Sequence, residues 1–180
     1  MILWTIQDEK AYQRLLKKGV LQCDKNHRIL FPEFRKAYLW MASRMRKYIG
    51  DEPLGVAYPI WAWYQWEGKR KRLDMRSHRY YGRPGEKIVL LTIDVPDDKV
   101  LLSDYDWWHC VLNDCPIYFG DEDKEIISIE KEDSWDLIFD LQNPGLCEGL
   151  AHQSIQAAMW EIRLEWVKKA EIFWSKQIEE

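Results

Sequence analysis

Residues 58–82 read YPIWAWYQWEGKRKRLDMRSHRYYG, an aromatic strand running into a basic, aromatic loop. Side chains on a strand alternate between faces. One face of 58–66 then carries Pro59, Trp61, Trp63 and Gln65. The other carries Tyr58, Ile60, Ala62, Tyr64 and Trp66. Both are apolar, the pattern of a strand covered on both sides. Proline cannot donate to a ladder, so Pro59 fits only near the strand start. The loop 67–87 holds Lys69, Arg70, Lys71, Arg72, Arg76, Arg79, Arg83 and Lys87 against Glu67, Asp74 and Glu86. The whole chain carries a formal charge of −4, so a positive loop stands on an acidic body. Such a loop is either a solvated segment or a place for an anion. Trp61 and Trp63 are either core or a stacking platform beside it.

A chain of 180 residues has room for one domain (1–180) with a sizeable core. Its 31% charged and 47% apolar content marks a folded rather than a disordered chain. Eleven tryptophans exceed ordinary packing needs. Cys23, Cys110, Cys115 and Cys147 form no C-x-x-C pair, and His27, His78, His109 and His152 are equally scattered. That spacing argues against a structural zinc and predicts no metal. Cys110 and Cys115 read as buried small hydrophobes. The sequence shows no secretory leader and no apolar run of bilayer length, so a cytoplasmic protein with reduced thiols and no membrane contact is expected.

Around the aromatic strand the pattern is mixed. Ile2–Ile6 is β-prone, and Asp8 offers a helix cap. Ala11, Leu15 and Leu16 form a stripe that Gly19 closes. A second helix follows Pro32, with Phe34, Tyr38, Met41, Met45 and Tyr48 as its expected inner face, ending at Gly50. KIVLLTID (87–94) is the clearest strand, and 99–102 resumes after a Pro-Asp-Asp turn. Ser103 or Asp104 caps a short helix through Trp107, Trp108, Val111 and Leu112. Asp104 and Asp106 with His109 serve that cap rather than a metal. Residues 125–130 read as an edge strand, Ser134 as the cap of SWDLIFD, and 142–149 as a turn-rich loop. The C-terminus reads two ways. Ile155, Met159, Ile162, Trp166, Ala170 and Phe173 fit a helical stripe, while 159–167 and 169–174 fit two strands. The expected fold class is α+β: a central antiparallel or mixed sheet with helices near 8–18 and 33–49 packed on it.

No G-x-x-x-x-G-K-[ST], G-x-G-x-x-G, G-x-S-x-G or H-E-x-x-H occurs, which argues against P-loop and Rossmann chemistry. LWTIQ, YPIWAWYQW, VPDDKVLLSDYDWWHCVLN, SWDLIFD and SIQAAMWEIRLEWVKKAEIF, in that order, resemble a bacterial family of uncharacterised Trp-rich single-domain proteins. That resemblance implies no activity. The layout is also similar to ADP-ribosyltransferases of the DarT toxin kind. It matches at Trp4-Thr5-Ile6-Gln7, at Leu15-Leu16-Lys17-Lys18-Gly19-Val20-Leu21, at the Pro-containing strand 58–64 and at 88–95. A late glutamate strand matches Trp160-Glu161-Ile162, or secondly Ala170-Glu171-Ile172. This second resemblance implies an ADP-ribosyltransferase-like fold with NAD as cofactor. Glu161 would be the catalytic carboxylate and Thr5 and Gln7 NAD contacts, standing where a His or Arg is usual. Trp61 or Trp63 would stack, and Arg76 or Arg79 would meet phosphate. The rival readings are a non-catalytic module binding a nucleotide or single-stranded nucleic acid through the 67–87 loop, and a protein-interaction domain presenting apolar surface.

Overall fold

The computed structural model describes residues 1–24, 32–77, 83–117, 131–142 and 149–176. In chain order the elements are β1 (Ile2–Asp8), α1 (Glu9–Lys18), β2 (Val20–Asp24), α2 (Arg35–Ile49), β3 (Val56–Tyr58) and β4 (Ile60–Gln65). After these come β5 (Lys87–Asp94), β6 (Leu101–Asp104), α3 (Tyr105–Leu112), α4 (Lys131–Ser134), β7 (Ile155–Met159), β8 (Glu161–Arg163) and β9 (Val167–Trp174). The fold is α+β. An antiparallel six-stranded sheet runs β6-β7-β4-β1-β5-β9, and a three-stranded sheet runs β3-β2-β8.

The aromatic strand expected over 58–66 is two strands. Pro59 has no N–H to give a ladder, and the chain changes sheets there. Tyr58 pairs with Cys23 in the small sheet, and Ile60 pairs with Met159 in the large one. Its neighbour divides at the same level, at Trp160 between β7 and β8. β2 fills the gap where β3 and β8 part, pairing Val20–Gln22 with β8 and Cys23–Asp24 with β3. The Trp160 indole fixes this corner by donating to the Gly50 carbonyl at 2.9 Å.

The central seam of the large sheet is sparse. β1 pairs with β5 continuously, from Ile2 opposite Asp94 to Asp8 opposite Ile88. Against β4 its register is the single pair Trp4–Trp63. Side chains take over beyond that pair. On one side the Arg70 guanidinium donates to the Tyr64 carbonyl (2.7 Å) and to the Ile2 carbonyl. On the other, the Thr5 hydroxyl donates to the Trp61 carbonyl at 2.7 Å.

Both faces are covered. On one, Leu3, Ile60, Ala62, Val89, Leu91, Ile93 and Met159 meet Ala11 and Leu15 of α1 and Leu21 and Ile162 of the small sheet. Asp8 caps α1 by accepting from the Ala11 N–H at 2.6 Å, and Gly19 ends it at φ 74°. On the other face, Ala37, Trp40, Met41, Ala42 and Met45 of α2 pack with Leu101, Trp107, Trp108 and Ala158. The inner face of α2 is thus rotated from the expected stripe, and Tyr48 is exposed. The rest of this face is closed by Leu73 and Met75, buried with Trp4, Ile88 and Leu90. The start of the basic loop is therefore anchored into the core.

The C-terminal stretch is β7, β8 and β9 rather than a helix, and the single strand expected over 159–167 is broken at Trp160 and by a 3-10 turn over Leu164–Trp166. Every residue of β7 is buried, and β7 bonds β4 on one edge and β6 on the other. A helix there would leave both edges unpaired. Asp104 caps α3 through the Asp106 and Trp107 N–H groups. Ser134 does not cap the turn after it. Its hydroxyl donates to the Lys131 carbonyl and accepts from the Ile117 N–H. The edge strand expected over 125–130 lies outside the described residues.

Gly68 lies at φ +70°, and a Cβ there would stand 1.7 Å from the Ala151 carbonyl oxygen. Gly68→Ala should therefore cost about 2 kcal/mol or more in urea unfolding. A change of a few tenths would contradict this close approach.

Candidate functional site

Trp61 and Trp63 share a face of β4 but have different neighbours. Trp61 packs with Trp108 (centroids 4.9 Å apart) and edge-on to Tyr38 (6.0 Å), against the α2–α3 core. Burial pushes the Tyr38 phenol up, with the Trp61 indole pulling the other way. Trp61 is thus a packing residue. Trp63 meets Trp66 at 4.6 Å and Tyr105 at 4.8 Å, and Tyr105 meets His109 at 4.5 Å. Trp63, Trp66 and Tyr105 are half-buried and His109 is exposed, so this cluster reaches the surface. Trp63 is the ring of the pair whose neighbours lead to the surface.

Beneath the cluster lies a polar row. Trp63 stands opposite Gln156, and Gln156 opposite Ser103. Directly opposed residues project from the same face as close neighbours. Ser103 is 0% and Gln156 6% exposed, and the Ser103 hydroxyl and Gln156 side-chain amide nitrogen have no hydrogen-bond partner. Next to them Asp104 is fully buried and satisfied, accepting from the α3 N–H groups and from Gln153 Nε2 at 2.9 Å.

Thr5, Gln7 and Trp61 are brought together. Gln7 Nε2 donates to Thr5 Oγ1 at 2.8 Å, and Thr5 Oγ1 donates to the Trp61 carbonyl. Thr5 is 2% exposed, so the half-buried Gln7 is the member of this chain a ligand would meet. Glu161 has other partners. Its carboxylate accepts from Gln22 Nε2 at 2.6 Å and Arg163 Nε at 2.7 Å, and its side chain is 14% exposed. Along the strands Glu161 lies two residues beyond Met159, the partner of Ile60. Gln7 lies three residues beyond Trp4, the partner of Trp63. Both therefore sit toward the end of the large sheet where β3 and β8 diverge.

The arginines of the basic loop mostly serve this chain's own groups. Arg70 lies over the Tyr64 ring at 3.9 Å while donating to its two carbonyls. Arg72 grips Glu171 in a fork of 2.8 and 3.0 Å, occupying the second-choice glutamate. Arg76 pairs with Asp74 at 2.6 Å, its side chain 90% exposed. Arg79 lies outside the described residues, as do His78, Tyr80 and Tyr81. Burial pushes the Cys110 thiol up, which disfavours a thiolate nucleophile. Cys115 is exposed, contrary to its expected burial. Among the described residues no group of three or more His, Cys, Asp or Glu is arranged to hold a metal ion. No described helix is long and apolar enough to cross a membrane.

Sequence reasoning missed Tyr105, Trp66, Ser103 and Gln156. Tyr105 was findable, because an Asp104 cap makes it the first residue of α3. The Ser103–Gln156 pairing depends on a register between segments about fifty residues apart and left no local signal.

The Arg72 fork, with Lys169, holds the Glu171 carboxyl below the usual range. A carboxylate whose folded value is depressed gives stability that is complete above its unfolded value, about pH 4.3, and is lost as pH falls through the lowered folded value. The pair is partly exposed, so the effect is small. Acid unfolding of Arg72→Gln should be shifted less between pH 5 and pH 3, by roughly 0.5 kcal/mol relative to the parent. Identical pH dependence in both would show that the fork contributes nothing.

No curated protein and no solved structure matches this chain. The family model described as Domain of unknown function (DUF3841) matches residues 2–131, more than half of the chain. Gln156 and Glu161 lie beyond the matched stretch.

Proposed function

We propose that this chain, which belongs to the family described as Domain of unknown function (DUF3841), is a nucleotide-binding domain of the ADP-ribosyltransferase type, taking NAD or a related nucleotide. The observation that carries this reading is the open seam of the sheet. After Trp4–Trp63 the β1–β4 ladder gives way to the Gln7–Thr5–Trp61 chain of hydrogen bonds. The carbonyls of Trp61, Tyr64 and Ile2 at this seam are taken by Thr5 and Arg70, so Gln7 is the group left there to meet a ligand. Trp63 supplies an aromatic face on β4, on the side of the sheet opposite Gln7.

In transfer chemistry the bond between ribose C1′ and the nicotinamide nitrogen breaks with its electrons leaving on nicotinamide. Positive charge then develops on the ribose. A nearby carboxylate lowers the barrier by stabilising that charge and orienting a ribose hydroxyl. Glu161 is the candidate, at the right end of the sheet. A second reading, binding without turnover, is favoured by one observation: both Glu161 oxygens already accept bonds, from Gln22 and Arg163. Single-stranded nucleic-acid binding through the basic loop is the weaker alternative, because Arg70 and Arg72 are held by this chain's own groups, although Arg76 stays 90% exposed.

Titration of NAD followed by tryptophan fluorescence tests the reading. Saturable quenching is expected, weakened about 5- to 150-fold by Trp63→Ala, the range for loss of one stacked ring. Trp61→Ala should instead lower the Tm, as a core truncation does. Glu161→Gln should abolish nicotinamide release while leaving NAD affinity nearly intact. Release that is absent in the parent too, with binding retained, selects the non-catalytic reading. No quenching at millimolar NAD removes both.

A further inference from the structure

We infer that Ser103, Gln156 and Trp63 form a subsite for a planar ring that carries a carbonyl oxygen on its edge, lying within the cluster of Trp63, Trp66 and Tyr105. The inference deepens the nucleotide-binding reading, on which it rests, by naming what the ring must offer.

Two independent features meet here. The first is the aromatic group. Trp63 and Trp66 stand edge to face at 4.6 Å, and Tyr105 is tilted against Trp63 at 4.8 Å. These half-buried rings bring aromatic surface to the solvent boundary, where a flat ligand can stack. The second is the orphaned pair. A buried polar atom without a partner is costly, and native structures hold few. Several such atoms occur among the described residues, Trp40 Nε1 and Ser175 Oγ among them, and Ser103 and Gln156 are the two that lie on directly paired strands next to Trp63. Neither has an evident structural task. Asp104, one residue from Ser103, takes its bonds from the α3 N–H groups and Gln153.

Their chemistry selects the guest. The Gln156 amide nitrogen can only donate, and a serine hydroxyl donates as readily as it accepts. Two donors converging from adjacent strands suit one oxygen with two lone pairs, a carbonyl. They offer little to a carboxylic acid's hydroxyl, an ammonium or a bare hydrocarbon ring. The pair is uncharged and deeply buried, so a charged head would lose its hydration without a countercharge. A carboxamide-bearing ring and a pyrimidine base with a ring carbonyl both meet the requirement.

The test uses the full chain labelled with 5-fluorotryptophan and observed by fluorine NMR. The Trp63 and Trp66 signals are assigned by Trp→Phe replacement. The probes are nicotinamide and uridine, which carry the carbonyl, 3-methylpyridine, which does not, and ADP-ribose, whose adenine has none. A saturable shift of both signals is expected with nicotinamide or uridine and none with 3-methylpyridine at the same concentration. Whichever of the two shifts them identifies the source of the carbonyl. Ser103→Ala and Gln156→Leu should each weaken that binding at least fivefold without lowering the Tm, since each removes an unsatisfied group. A residue needed only for packing would lower the Tm instead. The inference is overturned if neither carbonyl ring shifts the signals, if 3-methylpyridine does so equally, or if both variants bind as the parent does. ADP-ribose separates the two claims. If it binds while no carbonyl ring does, the nucleotide reading stands and this subsite falls. If a carbonyl ring binds and ADP-ribose and NAD do not, the reverse holds.

Discussion

The structure depends on how β1 meets β4. One facing pair, Trp4 with Trp63, joins three strands on one side of the large sheet to three on the other. A ladder with so few backbone bonds needs other connections, and the chain supplies them from side chains. Arg70 bridges two diverging carbonyls, and Thr5 reaches a third. Hydrogen bonds from a charged donor are stronger than neutral ones, and Arg70 is further held over the Tyr64 and Trp4 rings. The first part of the basic loop is drawn across the sheet by this residue, and Leu73 and Met75 are buried in consequence.

The same seam has candidate ligand groups on both faces, Gln7 on the α1 face and Trp63 on the other. A continuous ladder would satisfy its own backbone and bury every side chain between flat faces. An opened one turns Gln7, Thr5 and Trp61 toward one another and leaves Trp63 at the edge of two cores, between Trp61–Trp108 and Trp4–Leu90. Trp63 has no full set of core neighbours, so its partners are Trp66 and Tyr105, which reach solvent. The polar row Ser103–Gln156 sits in the same border between cores.

Local chemistry made much of this legible. Asp8 and Gly19 bounded α1, the apolar run 87–94 marked a central strand, and Asp104 marked the start of α3. Each of those signals is short-range. Periodicity failed where pairing decides. The stripe from Ile155 to Phe173 satisfies a helix on paper, but β4 and β5 each have an edge that only this stretch fills. Pro59 was read as a strand start, and the structure makes it a change of sheet. For the site, Trp61 and Trp63 were indistinguishable in sequence, two positions apart on one face. Their fates were separated by Tyr38 of α2 and Trp108 of α3, which pack on Trp61, while Trp63 meets Tyr105 at the start of α3 and Trp66. Glu161 was visible as a carboxylate on a late strand, and Arg163 is its neighbour two residues on, while its bond to Gln22 arises from a pairing across most of the chain.

The partnership of β7 with β4 has a consequence for how the chain is made. β4 is complete once residue 65 has left the ribosome, but the strand that covers its free edge is not synthesised until residue 159. β5 waits likewise for β9, whose last residue is Trp174. Until then the nascent chain carries two aromatic or aliphatic strands with open hydrogen-bonding edges, the kind of surface that recruits other strands. Folding of the sheet therefore waits for these late strands, and its contact order is high. The boundary of the family match at residue 131 is not a folding boundary: a fragment ending there would hold most of the core residues and lack the strands that close them.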